Sequence, residues 1–293
     1  MTAKKIILLN GGTRTRAAFS AGCGALPFEP YRTKEIIAYV SGTSEPEFYY
    51  RNERVDFSDA TIFTRLRATD QHFCGILYYY FNQRNIPATD PINSYFQYSE
   101  EKIAQMVMLS MNGIRVPTTL IARRESLVAN RAIAERLITF PAVFKTNGSQ
   151  GKNVHLVHDL AELDTCIVAT KNAELFIIQP FVENTFDIRI LVYKDTILGA
   201  IKRTRRSSFK NNVANGAHVE RYELSAEEIA LAKRACTVCG IDFGGVDLVH
   251  TPEGPLLFEV NKSPQVRGFE SVHDFSVFER IAQLVTSEYL PSK

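Results

Sequence analysis

Apolar and polar positions alternate, cluster and break in a way that divides the chain into many short elements. Ile6-Ile7-Leu8-Leu9 is a continuous apolar run ended by Gly11-Gly12, as expected of a buried strand. Further strands are predicted over 35–40 and 60–66, and a helix over 71–84 that stops before Asn85-Ile86-Pro87. Ser99 is placed to cap a helix running to Met111, with Asn112-Gly113 as its stop. Next come a strand at 118–122, a helix at 126–138, a strand–glycine loop–strand over 140–157, and a helix opened by an Asp159/Glu162 capping box. After a strand at 174–179, residues 186–193 alternate strictly. Ile188, Ile190 and Val192 share one face, and Asp187 and Arg189 share the other. A Lys194-Asp195 turn returns the chain along 196–203. Ser225 and Glu228 cap a helix to Cys239, and an amphipathic helix over 274–289 comes after the last hairpin.

That hairpin carries the densest chemistry. Runs near 245–250 and 256–261 flank Pro252-Glu253-Gly254-Pro255, and a turn centred on Glu253 sets Asp247 opposite Glu259. Asn261 joins their face, whereas Val246, Leu248, Phe258 and Val260 point to the other. Two carboxylates facing each other across a ladder repel. A divalent cation reverses that sign, and Mg²⁺ is commonly held by one or two carboxylates together with substrate phosphates. The plain alternative is a solvated hairpin face carrying acids.

Composition narrows the classes. A chain of 293 residues is long enough for two or three compact units, and 45% hydrophobic with 23% charged residues describes an ordinary globular protein. A net charge of +2 makes no case for nucleic acid or a membrane surface as partner, and no apolar run is long enough to span a bilayer. Five scattered cysteines without a framework point to a reducing compartment, hence the cytoplasm. Cys236 and Cys239 fall on one helical face with Ile229 and Ala232 and read as core rather than as a metal or redox pair.

Other stretches are suggestive without being specific. Gly11-Gly12 and Gly22-Cys23-Gly24 do not complete a dinucleotide fingerprint, and Gly148-Ser149-Gln150-Gly151 lacks P-loop spacing. The second loop can still turn backbone N–H groups toward an anion, or be an ordinary hairpin turn. Lys145 ends an apolar strand, where a lysine needs an anion. Lys102 opposes the dipole in its helix's first turn. Arg14, Arg16, Arg65 and Arg67 are candidates for an acidic substrate or simply solvated. The basic loop 202–216 is a candidate polyphosphate clamp or a solvated charge run.

In order, Lys102, Lys145 with the glycine loop, Gln179-Pro180-Phe181, Asp187-Ile188-Arg189, Asn212, Asp247 and Glu259-Val260-Asn261-x-Ser263-Pro264 form a pattern that resembles the ATP-grasp superfamily, and within it the RimK-type carboxylate–amine ligases. The resemblance covers about 85–290 and is densest over 140–270; residues 1–60 carry none of it. It implies an α/β and α+β architecture, with an N-terminal α/β unit over 1–98 and two α+β subdomains, 99–180 and 181–293, clasping ATP. It implies an enzyme that joins an amino acid to a carboxylate-bearing acceptor through an acylphosphate, releasing ADP and phosphate. A regulatory nucleotide-binding module and a phosphotransferase are alternatives on the same fold.

Carried over by position, the resemblance sets Lys102, Lys145, Gly148, Ser149 and Gly151 at the nucleotide phosphates. Gln179, Pro180 and Phe181 line the adenine, Asp187 meets the ribose, and Lys210, Asn211 and Asn212 reach the phosphates and metal. Asp247, Glu259 and Asn261 hold one or two Mg²⁺ or Mn²⁺ ions, and Arg203 faces the transferred phosphoryl group. Lys202, Lys262 and Gln265 depart from the family pattern near the expected acceptor and donor positions. Neither G-x-S-x-G nor H-E-x-x-H occurs, in keeping with a reaction that needs no nucleophilic side chain. The pattern leaves open which amino acid and acceptor are joined, and whether the protein is a homo-oligomer.

Overall fold

A computed structural model describes residues 5–39, 45–65, 71–94, 98–146, 154–169, 176–204 and 218–289. The chain begins with β1 (Lys5–Leu9), α1 (Thr13–Gly22), β2 (Phe28–Tyr31), β3 (Ile36–Tyr39), β4 (Glu47–Tyr50), β5 (Glu53–Val55), β6 (Ala60–Thr64) and α2 (Gln71–Gln83). β1 is central in a parallel sheet of order β2-β1-β6, and β3-β4-β5 form an antiparallel meander. The unbroken apolar run of β1 is explained by burial on both sides. Ile7 and Leu9 pack with α2 and the meander, and Ile6 and Leu8 pack with residues near the C-terminus. The sequence pattern did not anticipate α1, but Gly11-Gly12 opens it. A Cβ at Gly11 would strike the Leu8 side chain.

The middle of the chain comprises α3 (Tyr98–Met111), β7 (Leu120–Ala122), α4 (Arg124–Ala129), α5 (Arg131–Leu137), β8 (Ala142–Thr146), β9 (Val154–Val157), α6 (Leu160–Ala169) and β10 (Phe176–Pro180). Its strands form an antiparallel sheet of order β7-β10-β8-β9. α3 begins one residue before Ser99, which therefore lies inside the helix and not at its cap. The helix stops as expected, with Gly113 at φ 67. The single helix expected over 126–138 is two. Asn130 donates its side-chain amide to the Ser126 carbonyl at 3.0 Å and leaves helical geometry, in the way short amides compete with the backbone. Asp159 caps α6 by accepting from Glu162 N, but the reciprocal arm reaches His158 N, one residue further back.

The final part comprises β11 (Phe186–Tyr193), β12 (Thr196–Thr204), β13 (His218–Arg221), α7 (Ala226–Cys239), β14 (Phe243–Thr251), β15 (Gly254–Asn261), α8 (Arg267–Glu270) and α9 (Val277–Tyr289). The five strands form an antiparallel sheet of order β13-β12-β11-β14-β15. Ile188, Ile190, Val192, Val246 and Val260 face α3 and α7, where Cys236 and Cys239 are buried as core. On the opposite face Leu191, Tyr193 and Ile201 pack with Ile6 and Leu8 of β1, Phe19 of α1 and the apolar side of α9. The first and last segments of the chain thus share one core. Phe258 departs from its expected place. A bulge between Asp247 and Leu248 pairs Leu248 with Leu257, so Leu257 takes the core position and Phe258 becomes the extra residue. Among the described residues no helix is long and apolar enough to cross a membrane.

α7 has the expected reciprocal cap. Ser225 Oγ accepts from Glu228 N at 3.2 Å, and Glu228 accepts from Ser225 N at 2.7 Å. Because the helix backs the central sheet, Ser225→Ala is expected to lower stability by about 1 kcal/mol while leaving the far face of the sheet intact. Urea denaturation of the two proteins measures it, with no change expected in the denaturant slope.

Candidate active site

The face of the five-stranded sheet that packs against β1 and α9 is apolar for only half its length. Along β11 the odd positions run Asp187, Arg189, Leu191, Tyr193, so one end of the face is oily and the other charged. Strand pairing then builds an array of charges of both signs. Asp187 lies opposite Arg203 on β12, Arg189 opposite Asp247 on β14, and Asp247 opposite Glu259 on β15. The expected juxtaposition of the two carboxylates is present, and Asn261 is two residues further along the same strand, opposite Gly245.

Arginines answer the repulsion in this array. Arg189 grips Asp247 with two hydrogen bonds, Nε to Oδ1 at 2.7 Å and a terminal nitrogen to Oδ2 at 2.6 Å. Arg203, only 4% exposed, donates from Nε to Asp187 Oδ1 at 2.5 Å and places a second nitrogen 3.0 Å from Asp247 Oδ2. Burial pushes the Asp247 carboxyl up, but the Arg189 and Arg203 guanidiniums overcome it and hold it at about 2. Burial likewise opposes the Arg203 charge, and Asp247 and Asp187 more than offset it. Sequence reasoning placed Arg189 on the face of Asp187 but missed its partner. The signal was the Asp-x-Arg alternation on a strand next to an acidic one.

The end of the hairpin is pinned to the turn at Pro264. Asn261 Oδ1 accepts from Ser263 N at 3.0 Å, closing a tight turn into Pro264. A Cβ on Gly245 would lie 2.7 Å from Pro264, and one on Gly244 would lie 2.8 Å from Cys236 Sγ. The glycine pair therefore lets β14 be approached on both faces. Arg65 donates to the Pro264 carbonyl and lies over the Phe278 ring. Arg14 pairs with Glu270.

Lys145 and Gln179 come together on the middle sheet, on its face away from the core formed by Phe144, Phe176 and Ile178. Lys145 Nζ donates to Gln179 Oε1 at 2.7 Å, and Gln179 Nε2 donates to Thr119 Oγ1 at 2.9 Å. Phe181 N donates to the Pro141 carbonyl at 2.7 Å, which fixes the chain where it leaves β10. Lys102 lies in the first turns of α3, and its side chain is outside the described residues, as are Gly148, Ser149, Gly151, Lys210, Asn211, Asn212 and Arg67. Lys202 pairs with Glu220 at 2.8 Å and lies over Phe186. Lys262 is buried and donates to Asn93 Oδ1 at 2.7 Å, whereas Gln265 is exposed.

Asp247, Glu259 and Asn261 offer oxygen donors only, from neighbouring strands and one face, which suits a hard cation. Among the described residues no cluster of three His, Cys, Asp or Glu side chains is placed to hold a metal. Two carboxylates and an amide nonetheless match the sparse protein ligation of Mg²⁺, whose remaining positions go to water and phosphate oxygens.

Residues 99–285 match the model of the RimK-like ATP-grasp domain. A probable alpha-L-glutamate ligase of Halorhodospira halophila is 28% identical over 284 residues, 94% of this chain and 91% of that protein. One from Shewanella halifaxensis is 28% identical over 233 residues, 78% of this chain but 50% of its own, so the chain spans about half the length of that relative. Among solved structures, the ATP-grasp ligase PsnB complexed with a minimal precursor, Mg and ADP superposes with a TM-score of 0.69 at 15% identity, covering 99% of this chain and 98% of that one. The RimK domain ATP-grasp protein of Sphaerobacter thermophilus superposes at 0.64 with 19% identity, over 98% of this chain and all of that one, its coverage being 100%. With the family model matched over most of its length and the fold shared end to end, this chain belongs to the RimK-like ATP-grasp family.

Proposed function

We propose that this protein is an ATP-dependent ligase that forms an amide bond between an amino acid and a carboxylate-bearing substrate, a small molecule or a peptide. The observation that carries the reading is the in-register opposition of Asp247 and Glu259, with Asn261 beside them, on the charged half of a sheet otherwise packed as core. A carboxylate does not condense with an amine at neutral pH, because hydroxide is a poor leaving group. Transfer of the γ-phosphoryl of ATP to the carboxylate makes an acylphosphate, which the amine attacks, and phosphate departs with the electron pair. Mg²⁺ or Mn²⁺, as one ion or two held by Asp247, Glu259 and Asn261, would supply neutralisation of phosphate charge.

The chain's residues then have distinct tasks. Arg189 and Arg203 flank Asp247, and guanidiniums beside a carboxylate that holds the metal would suit the charge of a transferring phosphoryl group. Asp187 holds Arg203 in that place and is our candidate for the ribose contact. Lys145, presented by Gln179, and Lys102 serve the phosphates, and the backbone at Pro180 and Phe181 serves the adenine. Gly148, Ser149, Gly151, Lys210, Asn211 and Asn212 complete the phosphate contacts and the exclusion of water. All five cysteines are free thiols and four of them are buried, which suits a reducing cytoplasm.

A screen of amino acids and peptides with ATP and Mg²⁺, read by mass spectrometry and ADP release, tests the reaction. The expected result is a condensed product whose formation needs both an amine and a carboxylate. ATP binding without turnover, or a stable phosphorylated product, would sink the proposal. Glu259→Gln is expected to lower turnover at least about a hundredfold with no loss of melting temperature, and near-normal activity would remove the metal assignment. Arg189→Met strips Asp247 of its bidentate partner and is expected to cost on the order of 3 kcal/mol of stability. Combined with Asp247→Asn, the loss should fall short of the sum of the single losses by about 1 kcal/mol or more in denaturant titrations.

A further inference from the structure

β15 is the last strand of its sheet, so one side of its backbone has no strand to pair with. At Val260, between Glu259 and Asn261, that side is met by Gln105 of α3. The Gln105 amide donates to the Val260 carbonyl at 2.8 Å and accepts from Val260 N at 3.1 Å, the two bonds a neighbouring strand would make. Gln105 is fully buried, at 0% exposure, although α3 is otherwise an ordinary packing helix with Met106 and Leu109 in the core. A buried glutamine is costly unless its polar atoms are satisfied, and here its two ends hold the N–H and the C=O of one residue, gripping the peptide groups on either side of Val260.

A second grip lies one residue beyond Asn261. Lys262 is 3% exposed and donates to Asn93 Oδ1 at 2.7 Å, and Asn93 donates in turn to the Tyr78 hydroxyl at 3.0 Å. The same loop holds the other strand of the hairpin. Asp90 Oδ1 accepts from Asp242 N at 2.9 Å and Phe243 N at 3.0 Å, where β14 begins. Residues 90–93 therefore fasten both strands at the open end of the hairpin, while Gln105 fastens the edge strand from its flank.

We infer that Gln105 and Lys262 are positioning residues for the divalent cation. Through the backbone of Val260 and the turn after Asn261, they fix where Glu259 and Asn261 stand relative to Asp247. The inference rests on the metal assignment proposed above and adds the groups that make it rigid. An edge strand held only on its inner side can shift by fractions of an ångström, enough to spoil ligation that demands near-ideal octahedral geometry. Gln105 lies three residues after Lys102 on α3, so it also ties the helix bearing a candidate phosphate lysine to the strand bearing the candidate metal ligands.

Isothermal titration with ADP, in the presence and absence of MgCl₂, tests this without relying on turnover. For Gln105→Leu and Lys262→Met, ADP affinity without metal should match the unaltered protein. The Mg²⁺ concentration that gives half of the metal-dependent gain should rise about tenfold or more, as is usual for groups that orient metal ligands. Gln105→Glu keeps the bond from Val260 N and loses the one to its carbonyl, so an intermediate rise is expected. It also carries the test if Gln105→Leu fails to fold, judged by circular dichroism and melting temperature. Folded variants whose Mg²⁺ titrations coincide with that of the unaltered protein would overturn the inference. So would a parallel loss of metal-free and metal-dependent binding, which marks a general structural role. An unaltered protein whose ADP binding ignores Mg²⁺ would overturn the metal assignment itself, and is thereby distinguishable from failure of the positioning claim alone.

Discussion

The constraint on which the structure turns is the opposition of two carboxylates across one rung of an antiparallel ladder. Asp247 and Glu259 face each other on β14 and β15, an arrangement that by itself destabilises a hairpin. The fold tolerates it because the adjoining strands bring arginines to the same face. Register fixes the match: β11 sets Arg189 directly opposite Asp247, and β12 sets Arg203 opposite Asp187 and within reach of Asp247. A one-residue slip of β11 would turn Asp187 and Arg189 toward the core and Ile188 toward the charged face. Packing on the other side resists that slip, since Ile188, Ile190 and Val192 are locked against α3 and α7.

A stable charge array of this kind is also a poised one. Asp247 is balanced by Arg189 and Arg203, so its buried charge is compensated within the protein. Guanidiniums held by carboxylates have already given up much of their rotational freedom, which under the function proposed above would preorganise them for phosphate. In the proposed reaction such an array would serve in place of a nucleophile, because phosphoryl transfer is governed by alignment and charge neutralisation. Four of the five cysteines are buried, and His250 and His273 are engaged with Glu228 and the Ala200 carbonyl.

Much of the secondary structure was legible because its causes are local. The alternation over 186–193 predicted both faces of β11, the Ser225/Glu228 box predicted the start of α7, and Asn112-Gly113 predicted the end of α3. Asp247 and Glu259 do pair as expected, but not through a turn centred on Glu253. Thr251 pairs with Gly254 across Pro252-Glu253, a register that alone would set Asp247 opposite Phe258, and the bulge at Phe258 restores Glu259 to that place. Where local signals failed, a specific competitor was responsible. Asn130 bonded to the Ser126 carbonyl and split a helix, and a one-residue bulge exchanged Phe258 for Leu257 in the core. The N-terminal 60 residues offered no motif, yet α1 and the meander pack as firmly as the rest, through apolar contacts with no distinctive spacing.

The sequence alone therefore determined most element types after residue 70 and, through an ordered set of motifs, the family. What only the tertiary structure decided is who neutralises whom. Arg189 answers Asp247 across 58 residues of chain, Gln105 holds Val260 across 155, and Lys262 reaches Asn93 across 169. Such partnerships depend on strand order and on which helix covers a sheet's edge. Those are settled by the free energy of packing the whole chain at once, and residue spacing does not name the partner.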